Sequence, residues 1–142
     1  MAPVTRRRSS RAVTDAEYRR LARFRHALRQ FLHFSEAAAR RAGISPVQYQ
    51  LLLFVRGTES ADDPPTIAEL ADRLQVAHQS AVGLVDRSAR AGLVVRRRDR
   101  EDARKVRVGL TSRGAQVLLR LVRAHSPEFD RLWAALFRLR PA

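Results

Sequence analysis

Two clusters of side chains in this sequence have the types and spacing needed to read and grip a polyanion. The first is His78-Gln79-Ser80, followed by Val82, Gly83, Arg87 and Arg90. Glutamine can bond adenine N6 and N7 in bidentate fashion, valine can meet a thymine methyl, and arginines one or more turns further on can reach phosphate. Gly83 would let the backbone come close, at about 1 kcal/mol of helix propensity relative to alanine. The second cluster runs from Arg96 to Arg107 and holds seven cations within twelve residues. In it, Arg104 is the residue expected to enter a minor groove, where a narrow A·T tract concentrates negative potential. Asp102, two residues earlier, is its expected orienting partner. Arg96, Arg97, Arg98, Arg100, Lys105 and Arg107 would then track phosphates. The plainer alternatives are exposed turn residues at His78 and Gln79 and a solvated charged hairpin around Arg104.

The elements that must position these residues follow from periodicity and capping. Apolar residues recur at helical spacing from Asp15 to about Arg41, over a stripe wider than one face, so this helix is either central to the core or shared with a partner chain. Gly43 ends it. Ser45-Pro46-Val47-Gln48 makes a capping box that opens a second helix through Tyr49, Leu52, Leu53 and Val55 to Gly57. Thr66 and Glu69 make another box, opening a short helix that stops near Leu74. The next helix starts near Ala77 or His78 and runs to Ala91, a helix-turn-helix spacing. Its buried stripe is Ala81, Leu84, Val85 and Ser88, which turns Gln79, Val82, Gly83, Asp86 and Arg90 outward. After Gly92 the period becomes two, with Leu93 and Val95 on one side and Val106, Val108 and Leu110 returning, so a β-hairpin carries the charged tip. Thr111 caps a fifth helix, and Ser126-Pro127 is expected to open a sixth through Phe129, Leu132, Trp133, Leu136 and Phe137.

Composition narrows the function classes. The 28 Lys and Arg against 14 Asp and Glu give a net charge of +14, and the common partner for such an excess is nucleic acid. At 142 residues one domain is expected, and no apolar run approaches a membrane span, so the chain reads as cytoplasmic with no membrane partner. Residues 1–13 read as a disordered basic arm rather than a secretory leader. Cysteine is absent, which removes disulfides, thiolate metal sites and thiol sensing. No enzyme signature is present and no cofactor or metal is expected. His26, His33 and Glu36 share the first helix, but three scattered residues do not make a closed zinc shell.

The run Asp99-Arg100-Glu101-Asp102-Ala103-Arg104-Lys105-Val106-Arg107-Val108-Gly109-Leu110-Thr111-Ser112-Arg113-Gly114, after Gly92-Leu93-Val94, closely resembles the wing signature of the MarR family of transcription regulators. The resemblance extends to Ser80 through Arg87, to Ser45-Pro46, and to the helical order across residues 15–140. Ala77, Gly83 and Ser88 depart from the residues usual in that family. What the resemblance implies is a mainly α fold with a small β-hairpin wing: a winged helix-turn-helix core over residues 45–111, flanked by N- and C-terminal dimerisation helices at 14–42 and 112–140, in one domain spanning 14–142. It also implies a homodimer on a pseudo-palindromic double-stranded DNA operator, acting as a repressor that a small aromatic or anionic effector relieves. Phe31, Phe34 and Tyr49 are the effector candidates, beside the basic Arg40 and Arg41. The rival readings are an effector-free architectural or antitoxin-like DNA binder, and a basic protein-interaction module.

Overall fold

Four helix starts are fixed by side-chain oxygens. The computed structural model describes residues 11–58 and 63–140. In it Thr14 and Glu17 exchange reciprocal bonds at the start of α1 (Asp15–Arg41). Ser45 and Gln48 do the same at 3.0 and 3.1 Å before α2 (Pro46–Thr58). Thr66 and Glu69 repeat it at 3.2 Å before α3 (Ile67–Leu74). Thr111 Oγ1 accepts the Gly114 N–H before α5 (Ser112–Arg138). Each box satisfies backbone donors that a helix cannot satisfy within itself. Of the basic arm expected over 1–13, residues 1–10 lie outside the described residues; Arg11 pairs with Glu17.

The turn between α3 and α4 (His78–Arg90) closes at Gln75, whose φ of 56° and ψ of 46° are left-handed. A side chain there costs roughly 1–2 kcal/mol, offset in part by the Gln75 amide bonding back to the Asp72 carbonyl. After α4, Gly92 at φ +74° swings the chain into β1 (Val94–Arg98), which pairs antiparallel with β2 (Val106–Leu110) from Val94↔Leu110 to Arg98↔Val106. The segment before α3 joins this hairpin: Thr66 bridges Arg107, and the Val108 N–H donates to the Pro65 carbonyl at 2.9 Å. Helix α2 lies at the centre, touching α1, α3, β2 and α5, with Leu51, Leu52 and Val55 fully buried.

Three sequence expectations need correction. Ser126-Pro127 does not open a sixth helix; α5 runs unbroken from Ser112 to Arg138 with Pro127 inside. Proline removes one donor to the Arg123 carbonyl. The helix nonetheless continues, because Leu118, Leu121, His125, Leu132 and Leu136 keep one stripe turned inward on both sides of it. In the hairpin, Val94 is buried and Val95 exposed, the reverse of the expected phase, because the turn at Gly92 buries Leu93 and Val94 in succession. In α2, Leu51 rather than Leu53 is buried.

A second apolar surface remains uncovered. Tyr18, Leu21, Phe24 and Leu32 on α1 and Phe129, Trp133 and Phe137 on α5 are exposed, Trp133 at 64%. Among the described residues no helix is long and apolar enough to cross a membrane.

Candidate nucleic-acid interface

The outward face of α4 is set by what its opposite face buries. Ala81, Leu84, Val85 and Ser88 are buried as expected, and Gln48 Nε2 stands 3.5 Å from the Ser88 hydroxyl that this stripe carries inward. His78, Gln79, Ser80, Arg87 and Arg90 are therefore exposed, with Val82 and Gly83 half-buried between them. The Arg87 guanidinium lies over Gly83, where an added methyl would stand 3.3 Å from Nη1. Ala77 occupies the N-cap position without a side-chain bond, so the first amides of α4 have no side-chain acceptor. Arg90 Nε donates to the Asp86 carbonyl at 3.4 Å, and Asp86 in turn pairs with Arg96, tying α4 to β1.

At the wing tip, Asp102 and Arg104 are joined as expected. Asp102 Oδ1 accepts the Arg104 backbone N–H at 3.0 Å and Nε–H at 3.2 Å, while the Arg104 side chain stays 92% exposed. Hydrogen bonds from the Arg104 side chain, then from its backbone, hold the Asp102 carboxyl below its ordinary range. The hairpin and α4 border one cleft of about 390 Å³, lined by Thr66, Ile67, His78, Val82, Arg104 and Val106 among others. Residues distant in sequence, His78 and Val82 on α4 and Arg104 on the hairpin, thus face the same opening. Arg97, Arg98, Arg100 and Lys105 line a second, more polar depression of about 430 Å³ on the wing.

Two of the expected phosphate contacts are otherwise engaged. Arg96 pairs with Asp86. Arg107 is only 19% exposed, and its guanidinium is spent on Asp99, Asp63 and the Pro64 carbonyl. It braces the wing from the floor of the polar depression, tying β2 to the segment before α3. The Asp99 side chain is held low by the Arg107 hydrogen bond above all, and Arg107 is pushed up by the same contact.

Phe31, Phe34 and Tyr49 do come together, but around a residue the sequence reading did not single out. The buried His125 ring stacks on Tyr49 with centroids 4.6 Å apart, and Phe31 and Phe34 meet it edge-on at 6.1 and 5.4 Å. Its Nδ1 bonds the Leu121 carbonyl at 2.6 Å, and Nε2 lies 2.8 Å from Ser35 Oγ. Burial pushes the Tyr49 hydroxyl above its ordinary value. A signal was available: His125 follows Leu118 and Leu121 by seven and four residues, on the buried row of α5. An open depression of about 260 Å³ adjoins the ring, lined by Phe31, Val122, His125, Ser126, Phe129 and Asp130. Among the described residues no three His, Asp or Glu side chains gather as a metal site.

Residues 42–105, the span from the end of α1 to the wing tip, match the family model described as the MarR family. Among solved structures, the chain is similar to AbsC, a MarR family transcriptional regulator from Streptomyces coelicolor, at TM-score 0.74 and 22% identity over 89% of this chain and 84% of that one. It is similar to a MarR family protein from Bacillus stearothermophilus at TM-score 0.71 and 21% identity, over 85% and 82%. A MepR mutant from S. aureus, bound to an oligodeoxyribonucleotide, matches at TM-score 0.62 and 21% identity over 92% and 86%. No curated protein is a detectable sequence relative.

Proposed function

We propose that this chain is a DNA-binding transcription regulator of the MarR family, whose model matches residues 42–105, and that it acts as a homodimer on a pseudo-palindromic duplex operator and represses transcription. The observation that carries the DNA-contact part of this reading is the shared cleft: exposed His78 and half-buried Val82 of α4 and the exposed Arg104 of the wing border one opening. A helix fits a major groove and reads with residues near its N-terminus, so His78, Gln79, Ser80 and Val82 would take base edges. Arg87, Arg90, Arg97, Arg98 and Arg100 would take phosphates, and Arg104, steadied by Asp102, the adjacent minor groove.

The dimer is supported by the exposed apolar residues of α1 and α5, which a single copy leaves in water. Twofold symmetry would place two reader helices about 34–36 Å apart, one turn of DNA. If about 6–8 phosphates are neutralised per dimer, log K should fall with log salt at a slope of roughly −5 to −7. Footprinting on the DNA beside its own gene, followed by titrations at several salt concentrations, tests this. A symmetric footprint and a steep slope support it, whereas a flat salt response would favour a basic protein-interaction module.

Relief by an aromatic or anionic effector at Phe31, Phe34 and Tyr49 completes the proposal, the protein acting in the cytoplasm. One observation favours a second reading, in which no effector is read: the His125 ring already occupies the space among those three side chains. A thermal-shift screen of phenolic and carboxylate metabolites separates the two, provided each hit is then tested for weakened operator binding.

A further inference from the structure

We infer that Arg107, its guanidinium engaged by Asp99, Asp63 and the Pro64 carbonyl, is the positioning residue that sets the pose of Arg104 at the wing tip. This rests on the proposed role of Arg104. Arg107 Nε donates to Asp99 Oδ1 at 2.6 Å, while Nη1 donates to the Pro64 carbonyl at 2.6 Å and meets Asp63 Oδ1 at 2.7 Å. The other Asp99 oxygen accepts the Asp102 N–H at 3.0 Å. Asp102 then holds Arg104 through its backbone N–H and Nε–H. Five side chains thus form one continuous path, from the segment before α3 to the wing tip. Its inner end is anchored where Pro64 and Pro65 restrict the backbone and the Pro65 carbonyl bonds β2.

Charge explains why an arginine stands in the middle. Asp63 and Asp99 both lie against residue 107, and Asp102 bonds through its N–H to the Asp99 carboxylate. Without a cation at 107, the Asp99 carboxylate, 13% exposed, would lose its only ion-pair partner among the described residues. Its grip on the Asp102 amide would then compete with hydration of the freed carboxylate. Arg97 is the cross-strand partner of Arg107, and like charges directly opposite destabilise a ladder unless neutralised. A planar guanidinium can serve acceptors in separate directions from one position, which an ammonium on a flexible stem does less well.

A double-mutant cycle on the full-length protein tests the inference, using a labelled duplex carrying the footprinted site and a scrambled duplex as control. Arg104→Ala and Arg107→Leu should each weaken specific binding by about 10-fold, and the double variant should bind like Arg104→Ala alone, because both remove one contact. The salt slope of the double variant should equal that of Arg104→Ala. A further fall would make Arg107 a direct phosphate contact and overturn the inference, as would losses that multiply or an Arg107→Leu protein that binds like wild type. If Arg104→Ala binds like wild type, the wing reading itself fails and takes this inference with it. Melting temperature is measured for each variant, and Asp99→Asn runs the same cycle should Arg107→Leu not fold.

Discussion

The imidazole of His125 lies stacked on the phenol ring of Tyr49, centroids 4.6 Å apart and planes 24° from parallel. Through this pair and Ser35, helices α1, α2 and α5 share one buried contact. His125→Ala should remove a packed ring and leave the Ser35 hydroxyl without its imidazole partner, destabilising the fold by roughly 2–4 kcal/mol. Added imidazole should recover part of the lost melting temperature in the variant and leave the wild type unmoved. A variant that melts like the wild type would show that the ring contributes nothing.

Gly114 should tolerate no side chain. A methyl built there would stand 2.0 Å from the Leu93 carbonyl oxygen, a backbone atom that also accepts the Thr111 N–H. Gly114→Ala must push the first turn of α5 off the hairpin, with an expected loss of at least about 3 kcal/mol in denaturant titrations. Gly57, in α2, has nothing within 4 Å of its notional methyl, and Gly57→Ala should be neutral or stabilising by up to about 1 kcal/mol.

Acid should loosen the wing before it unfolds the core. Hydrogen bonds from Arg107 and from Arg104 hold the Asp99 and Asp102 carboxyls below their ordinary value of 3.8. Groups depressed in the folded state contribute stability that is fully present above the unfolded value and is lost as pH falls through the folded one. The wing should therefore be insensitive from neutrality down to about pH 5, then release below about pH 4. The Arg107 Nε–H signal in NMR should track this release, and Asp99→Asn should abolish its acid dependence at neutral-pH cost to operator affinity.

Trp133→Glu combined with Phe137→Glu should convert the proposed dimer to monomers. Burying two such aromatics contributes roughly 1.5–3 kcal/mol each, and the introduced carboxylates would have to be desolvated in any interface. Sedimentation at micromolar concentration should show half the mass with helicity retained. A mass unchanged from wild type would place the interface elsewhere.

What could be read from the sequence was mostly what is local. The pairs Ser45 with Gln48 and Thr66 with Glu69 are three residues apart, and their bonds follow from chemistry that a short window contains. The outward face of α4 followed from helical period alone, and Asp102 with Arg104 from a two-residue reach. The role of Arg107 did not, because its partners Asp99 and Pro64 lie 8 and 43 residues away and only the folded hairpin assembles them. His125 was on the right row but is polar, so a count of apolar residues passes over it. Pro127 misled because a proline after serine reads equally as a helix start and as an interruption that tertiary packing overrides.

The unbroken α5 turns two ends of the molecule into a single lever. Its 27 residues make a rod about 40 Å long, rooted by Thr111 and Gly114 at the hairpin and bearing Trp133 and Phe137 near its far end. On such an arm, a swing of only about 5° carries the opposite end through roughly 3.5 Å, close to the rise of one base pair. In the proposed twofold assembly, a tilt of that size would be enough to put the two α4 helices out of step with the groove they share.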